Sequence, residues 1–191
     1  MDVTLDTPVG QYAPDFELPG IDGDVHHLAQ YLVNYKAIGV VVMGNYCPYV
    51  HQALPYLKQL QTQLVPQGVT LVGINGNDTT ADEDESVEGM KHFAQAHQLN
   101  FPYLRDKTQD VLRTFKAAMT PDVFLLDQNG IVCYAGAMAV GIGDGQWTTD
   151  ITNILGSAEA MLELAIAQLL SGQPIATPYT KVVGTPIKWR S

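Results

Sequence analysis

Cys47 and Cys133 are the only two thiols among 191 residues, and one of them stands where a thiol becomes reactive. In "VVVMGNYCPYVHQALPYL", Val40 to Leu57, an apolar run stops at Gly44-Asn45 and Cys47 follows, directly before Pro48. Proline suits the first position of a helix, where its missing N–H costs nothing, so Cys47 becomes the cap residue. Unpaired N–H groups and the helix dipole favour a thiolate there, the form that attacks disulfides and peroxides. His51 lies one turn further on the same face and, when protonated, can assist the thiolate. Its plainer reading is a surface histidine. Tyr46 and Tyr49 flank the thiol, either to donate to it or to pack over it.

The second informative joint is Thr120-Pro121, immediately before an apolar run, where proline is tolerated at the start of a strand and a cis bond is worth considering. Cys133 alternates with Ile131 and Ala135 in an expected interior strand, which suits a buried thiol; it is also the sole internal candidate for resolving an adduct on Cys47. The run Asp82-Glu83-Asp84-Glu85 starts like a calcium loop, but Val87 stands where the glycine is required. At a helix start it reads as a solvated face that suits the dipole. His26-His27, His92 and His97 have no metal-ligand spacing, so no metal is expected.

The elements that must position these residues follow from periodicity. "APDFELPGIDGDVHHL" reads as an N-terminal hairpin around Asp22-Gly23. Ala37 to Gly44 is a β-branched run of the kind buried on both faces of a parallel sheet. Val50, Leu54, Leu57 and Leu60 or Leu64 then recur at helical spacing, with Pro55 removing one internal hydrogen bond and predicting a kink. "VTLVGING" reads as a strand, Ser86–Gln98 as a helix, "FPYL" as an extended piece and Thr108–Ala118 as a helix, giving a βαβα order. "DVFLLDQNGIVCYAG" is a hairpin with an Asn-Gly turn. A closing helix starts at Ser157, an N-cap with Glu159 in its first turn, and stops at Gly172. Residues 173–191, rich in proline and threonine, form an extended tail packed by Trp189.

Length and composition limit what this assembly can be. The chain suits one domain, 1–191, with a substantial core. No apolar run approaches the roughly 20 residues that span a bilayer, so no membrane insertion is expected. "MDVTLDTPVGQY" carries no basic stretch followed by an apolar one, and a cytoplasmic location is the expectation. A net charge of −10 with scattered Lys and Arg argues against nucleic acid as a partner.

A strand, a cysteine at the start of a proline-containing helix, a helical excursion, then Thr-Pro opening a hairpin and a final helix resembles the thioredoxin fold. More narrowly, "APDFELPGIDGD", "NYCPYV", "INGND", "EDES", "FPYLRDKTQD", "TPDVFLLDQNG" and "IKW" resemble the peroxiredoxin-like redoxins of the alkyl hydroperoxide reductase/thiol-specific antioxidant superfamily, in order from about residue 8 to 190. The resemblance implies an α/β fold, a thioredoxin-like three-layer α/β/α sandwich with a mixed central sheet and the added hairpin. It implies Cys47 at the active-site position, Pro121 as the cis-proline facing it, and Asn45 in the loop before the cysteine. Asn45, Tyr46, Pro48, Thr120 and Pro121 then line the substrate groove. The implied chemistry is disulfide or peroxide reduction without metal or organic cofactor. The partners would be a thiol reductant, glutathione or a thioredoxin-like protein, or else a peptide or protein substrate; a homodimer fits as well.

The sequence departs from that pattern at its partner thiols. Gly44 stands where the first cysteine of a C-x-x-C pair would be, Met119 where a cysteine often precedes Thr-Pro-Asp, and Thr185 where Gly-Cys often precedes Ile-Lys-Trp. Val40 and Gly44 occupy the proline and threonine positions of true peroxiredoxins, and "CYAG" stands where Tyr-Arg-Gly is usual. Arg105, Arg113 and Arg190 are the remaining arginines. The expectation is therefore a monothiol oxidoreductase built on Cys47. The alternative is a redox-inactive thioredoxin-fold module that binds an extended peptide or protein in the same groove.

Overall fold

The computed structural model describes residues 7–80, 83–139 and 160–191. Its centre is β3, Ala37–Val42, buried along its whole length. Successive side chains of a strand point to opposite faces, so β3 feeds two cores. Val41 packs with Leu71, Val123 and Leu125, and Val40 and Val42 pack with Val72, Ile74 and Phe124. Each of these valines contributes about 1.5–3 kcal/mol of apolar burial.

β4, Val69–Asn75, runs parallel to β3 in the register Ala37↔Val69 to Val42↔Ile74, and β5, Tyr103–Arg105, continues parallel beside β4. On the other side β7, Asp122–Asp127, is antiparallel to β3 and turns back into β8, Val132–Gly136. The order β5-β4-β3-β7-β8 is a mixed sheet. The helices α2, Pro48–Leu64, α3, Val87–Ala96, and α5, Met161–Leu170, cover the Val41 face. The helices α1, Leu28–Asn34, and α4, Asp110–Thr114, lie on the Val40 face through Leu28, Tyr31 and Leu112. This is the thioredoxin-like three-layer α/β/α arrangement, with the added antiparallel hairpin β1, Glu17–Pro19, and β2, Val25–His27.

Local structure differs from the sequence reading in two places, and a third expectation falls outside the described residues. The helix expected over Thr108–Ala118 is only α4, because Gln109 and Lys116 both sit in left-handed backbone (φ 68° and 59°). The Asp106 carboxylate holds the later start by accepting from the N–H groups of Gln109 and Leu112. The acidic run ends in a 3-10 turn, Glu83–Glu85, and Glu85 is buried rather than solvated. The Ser157 cap lies outside the described residues, and the described part of the closing helix runs from Met161 to Leu170.

The tail is ordered by the body of the protein. Its strand β9, Thr185–Pro186, pairs antiparallel with β6, Met119–Thr120, in the register Thr120↔Thr185. Beyond it Ile187 is buried and its N–H donates to the carbonyl of Ala118 (3.0 Å). Trp189 packs on the Val40-face core with the Arg113 guanidinium over its ring at 4.4 Å. Among the described residues no helix is long and apolar enough to cross a membrane, and no group of three or more His, Cys, Asp or Glu side chains converges as a metal site.

Candidate active site

β3 ends because Gly44 and Asn45 turn the chain away from the sheet and into α2. Cys47 is the N-cap in extended backbone (φ −73°, ψ 115°), with Pro48 at the first helical position. The N–H of Cys47 donates to the carbonyl of Gly44 (3.3 Å), and the carbonyl of Cys47 accepts the first helical bond from His51 (3.1 Å). Three segments meet at the sulfur of Cys47, a residue only 3% exposed. The thiol donates to the carbonyl of Thr120 (2.9 Å), the residue before the cis peptide to Pro121. From the tail, Thr185 Oγ1 lies 3.2 Å from Sγ. The Thr120 hydroxyl in turn donates to the main-chain carbonyl of Thr185 (3.4 Å), fastening β9 beside the cysteine.

A buried polar platform holds the loop from below. Glu85, 1% exposed, accepts from the main-chain N–H groups of Asn45 (3.0 Å) and Tyr46 (3.4 Å). It also accepts from the side-chain amides of Asn75 (2.6 Å) and Asn77 (3.3 Å). Arg105, likewise buried, donates to the Asn75 side chain (3.2 Å) and to the carbonyl of Asn77 (2.7 Å). Asn75 thus bridges a buried guanidinium and a buried carboxylate, an arrangement in which each charge is hydrogen-bonded and costs less to bury. Burial lowers the tendency of Arg105 to hold its proton, and burial also pushes the Tyr103 phenol upward. The neutral Tyr103 hydroxyl donates to the Asn45 side-chain oxygen (2.9 Å).

The residues picked from sequence separate into those at the sulfur and those elsewhere. Cys47, Pro48, Thr120 and Pro121 come together. Asn45 is 6% exposed and belongs to the platform, its amide donating to the carbonyl of Asp84. Tyr46 is exposed and its hydroxyl donates to the Asp84 carboxylate instead of to the thiol. His51 also serves the loop: Nε2 bonds the carbonyl of Asn45, and since a carbonyl only accepts, that nitrogen carries the proton. Its ring stands edge-on to Phe93 and His97. Sequence reasoning missed Glu85 and Thr185; the polar residues Asn75 and Asn77 at the end of a buried strand were the available sign that a partner was needed.

Cys133 is not brought to the site. It lies in the irregularity between the pairs Leu126↔Val132 and Leu125↔Tyr134, level with Ile38 and Gly39 of β3. Cys47 follows the opposite end of β3, roughly 10 Å further along the sheet and two strands, roughly 10 Å, across. Bridged cysteines need Cα atoms within about 7 Å, so these two cannot bond within this fold. Burial and the nearby Asp127 push the Cys133 thiol up, away from a reactive form. The arginines are occupied too. Arg113 covers Trp189 and Arg190 faces Asp78 (3.9 Å).

Two neighbours complete the geometry. A Cβ on Gly44 would stand 2.6 Å from the Asn77 amide nitrogen, so no side chain fits there while Asn77 holds Glu85. Asp122, directly after Pro121, points to the other face of the sheet beside Phe124 and lines a cleft of about 190 Å³ with Lys116, Tyr179 and Lys181. It is 5% exposed, its Oδ1 has no hydrogen-bond partner among the described residues, and burial pushes its carboxyl up to about 7.

Comparison with known proteins gives this chain a family and a fold. The AhpC/TSA family profile matches residues 9–135. A curated relative, the thiol-disulfide oxidoreductase ResA of Geobacillus kaustophilus, is 32% identical over 124 residues, 65% of this chain and 66% of its own. The chain thus spans just under two thirds of the length of that relative. Among crystal structures, the hypothetical protein SMc02350 from Sinorhizobium meliloti superimposes with a TM-score of 0.83 at 30% identity, covering 96% of this chain and 95% of its own. A thiol:disulfide interchange protein DsbE from Chlorobium tepidum shares the fold, with a TM-score of 0.65 at 23% identity over 87% of this chain and 99% of its own.

Proposed function

The chain belongs to the AhpC/TSA family, and from that premise we propose that it is a thiol–disulfide oxidoreductase in which Cys47 is the sole nucleophile. The observation that carries this reading is the seat of the sulfur: the N-cap of α2, against the carbonyl that precedes cis-Pro121. The Cys47 thiolate attacks one sulfur of a disulfide. A bond forms between the two sulfurs as the substrate bond breaks, and the other substrate sulfur leaves as a thiolate. An outside thiol, glutathione or a thioredoxin-like protein, then attacks the mixed disulfide and returns Cys47 as thiolate, carrying away the oxidising equivalents. The proposed setting is the cytoplasm, where such thiols are abundant.

Disulfide is favoured over peroxide because the groups that hold peroxide oxygen are missing. Gly44 has no hydroxyl, and the Arg105 guanidinium is committed to Asn75 and Asn77. The ResA relatives from two Geobacillus species are thiol-disulfide oxidoreductases, which supports the same choice.

The test is incubation of the reduced protein with glutathione disulfide, followed by peptide mass analysis. The expected result is one glutathione on Cys47, removed by added thiol, absent in Cys47→Ser and retained in Cys133→Ser. A folded protein that takes no adduct on Cys47 sinks the proposal. A second reading then applies, a redox-inactive module that binds extended segments, and it has its own observation: β6 already pairs with an extended segment, β9, which covers the sulfur.

A further inference from the structure

We propose that Thr185, delivered by the tail, is a further catalytic residue, whose hydroxyl donates to the Cys47 sulfur and stabilises the thiolate. The proposal rests on the reading of Cys47 as nucleophile. The sulfur sits between a carbonyl, which only accepts, and a hydroxyl, which accepts from the thiol and can also donate. A carbonyl only accepts, so Thr120 serves the protonated thiol at 2.9 Å. It offers nothing to a thiolate, which has no proton to give. A hydroxyl can give its own proton, so Thr185 Oγ1, at 3.2 Å, is placed to serve the charged form. Hydrogen bonds to an ionised partner are the strong ones, about twice the neutral kind.

The side of the loop that would otherwise supply such a hydroxyl is closed. A Cβ on residue 44 would stand 2.6 Å from Asn77 Nδ2, with Glu85 Oε1 and Thr120 Oγ1 each at 3.5 Å. The Tyr46 hydroxyl is turned to Asp84, and the His51 Nε2 proton is taken by the carbonyl of Asn45. The tail delivers the one hydroxyl that reaches the sulfur among the described residues.

Its delivery is fixed on both sides of Thr185. Upstream, the N–H of Thr180 donates to the carbonyl of Ala135 (3.1 Å). Gly184 passes so close to β6 that a Cβ there would stand 2.3 Å from the carbonyl oxygen of Thr120. Downstream, Ile187 is buried, the N–H of Lys188 donates to Asn77 Oδ1 (2.9 Å), and the Gln109 amide donates to the carbonyl of Lys188 (2.9 Å). These bonds are made by the main chain of the tail, so replacing the Thr185 side chain leaves them in place.

The test compares Thr185→Val, which keeps the shape, with Thr185→Ser, which keeps the hydroxyl, both in a Cys133→Ser background so that one thiol remains. Two readouts are taken: the ultraviolet absorbance of the thiolate against pH, and the rate of mixed-disulfide formation with glutathione disulfide at neutral pH. The valine variant is expected to ionise about one pH unit higher than its parent and to react about tenfold more slowly, the loss expected for one hydrogen bond to a charged group. The serine variant is expected to follow the parent within twofold in rate. Should valine prevent folding, Thr185→Ala removes the hydroxyl without adding a methyl group and carries the same expectation. A hydroxyl-free variant that folds and titrates with its parent overturns the role of Thr185, while its Cys47 adduct would leave the nucleophile standing. A parent that forms no adduct overturns the nucleophile, and the role of Thr185 with it.

Discussion

Glu85 accepts hydrogen bonds from the main-chain N–H groups of Asn45 and Tyr46, the two residues before Cys47, across a separation of about 40 positions in the chain. The loop that presents the thiol is therefore set by a carboxylate from the turn before α3. Nothing in the loop's own residues supplies that acceptor, and four donors converge on it.

Removing the carboxylate takes from those donors the acceptor they share. Glu85→Ala is expected to lower stability by about 3 kcal/mol in urea unfolding, and Glu85→Gln by roughly half of that, since one amide oxygen still accepts. A loss below about 1 kcal/mol for the alanine variant would show that the platform is dispensable.

Restoring a side chain at residue 44 meets Asn77. Gly44→Cys, which recreates the C-x-x-C spacing, is expected to cost about 1–3 kcal/mol through overpacking. Combined with Asn77→Ala, the cost should fall short of the sum of the two single changes by at least about 1 kcal/mol, the mark of two sites in contact. Strict additivity in a double-mutant cycle would contradict the 2.6 Å approach.

The tail shields the sulfur, so loosening its anchor should expose it. Trp189→Ala removes the ring beneath Arg113, and a cation–π contact of about 0.5–1 kcal/mol corresponds to a roughly two- to fivefold change in tail opening. Alkylation of Cys47 by iodoacetamide in the native protein is expected to quicken by that factor or more. An unchanged rate would mean that the reagent enters by another route.

Asp122 makes stability depend on pH. Burial raises its carboxyl from 3.8 to about 7 in the folded protein, so between about pH 4 and 7 the folded state binds a proton that the unfolded state has lost. Its contribution is then fully present below about pH 4 and is lost as pH rises through about 7, on the order of 4 kcal/mol in all. Asp122→Asn should flatten that slope and be the more stable form at pH 8. Denaturation midpoints measured from pH 4 to 8 decide the matter, and parallel curves would assign the slope to other groups.

How far these features could be read beforehand depended on the range of the forces that set them. Ala37–Val42 announced itself by a β-branched run, since a strand buried on both faces has no polar position to alternate with. Cys47 as N-cap followed from Pro48, and the β7–β8 hairpin from Asn129-Gly130, because caps and turns are settled by adjacent residues. Glu85 was not legible, as Asp82, Glu83, Asp84 and Glu85 present the same local pattern and only the folded position of Asn45 distinguishes the last of them. Thr185 was hidden for the same reason, its partner being 138 residues away. The short α4 was missed because the backbone of Gln109 and Lys116 is left-handed, although neither is a residue type that signals it.

The distance between Cys47 and Cys133 determines how the protein counts electrons. A C-x-x-C pair can give two electrons to its substrate and keep the oxidising equivalents as an internal disulfide. Here Cys133 sits in β8, two strands from β3 and level with Ile38 and Gly39, while Cys47 lies beyond the far end of β3, so the chain has no place to store such a pair. Every completed exchange at Cys47 requires a second molecule, and the proposed turnover should rise in proportion to the concentration of outside thiol until another step limits it. In the proposed cycle the thiol acts as a relay, and the reservoir lies in the surrounding solution.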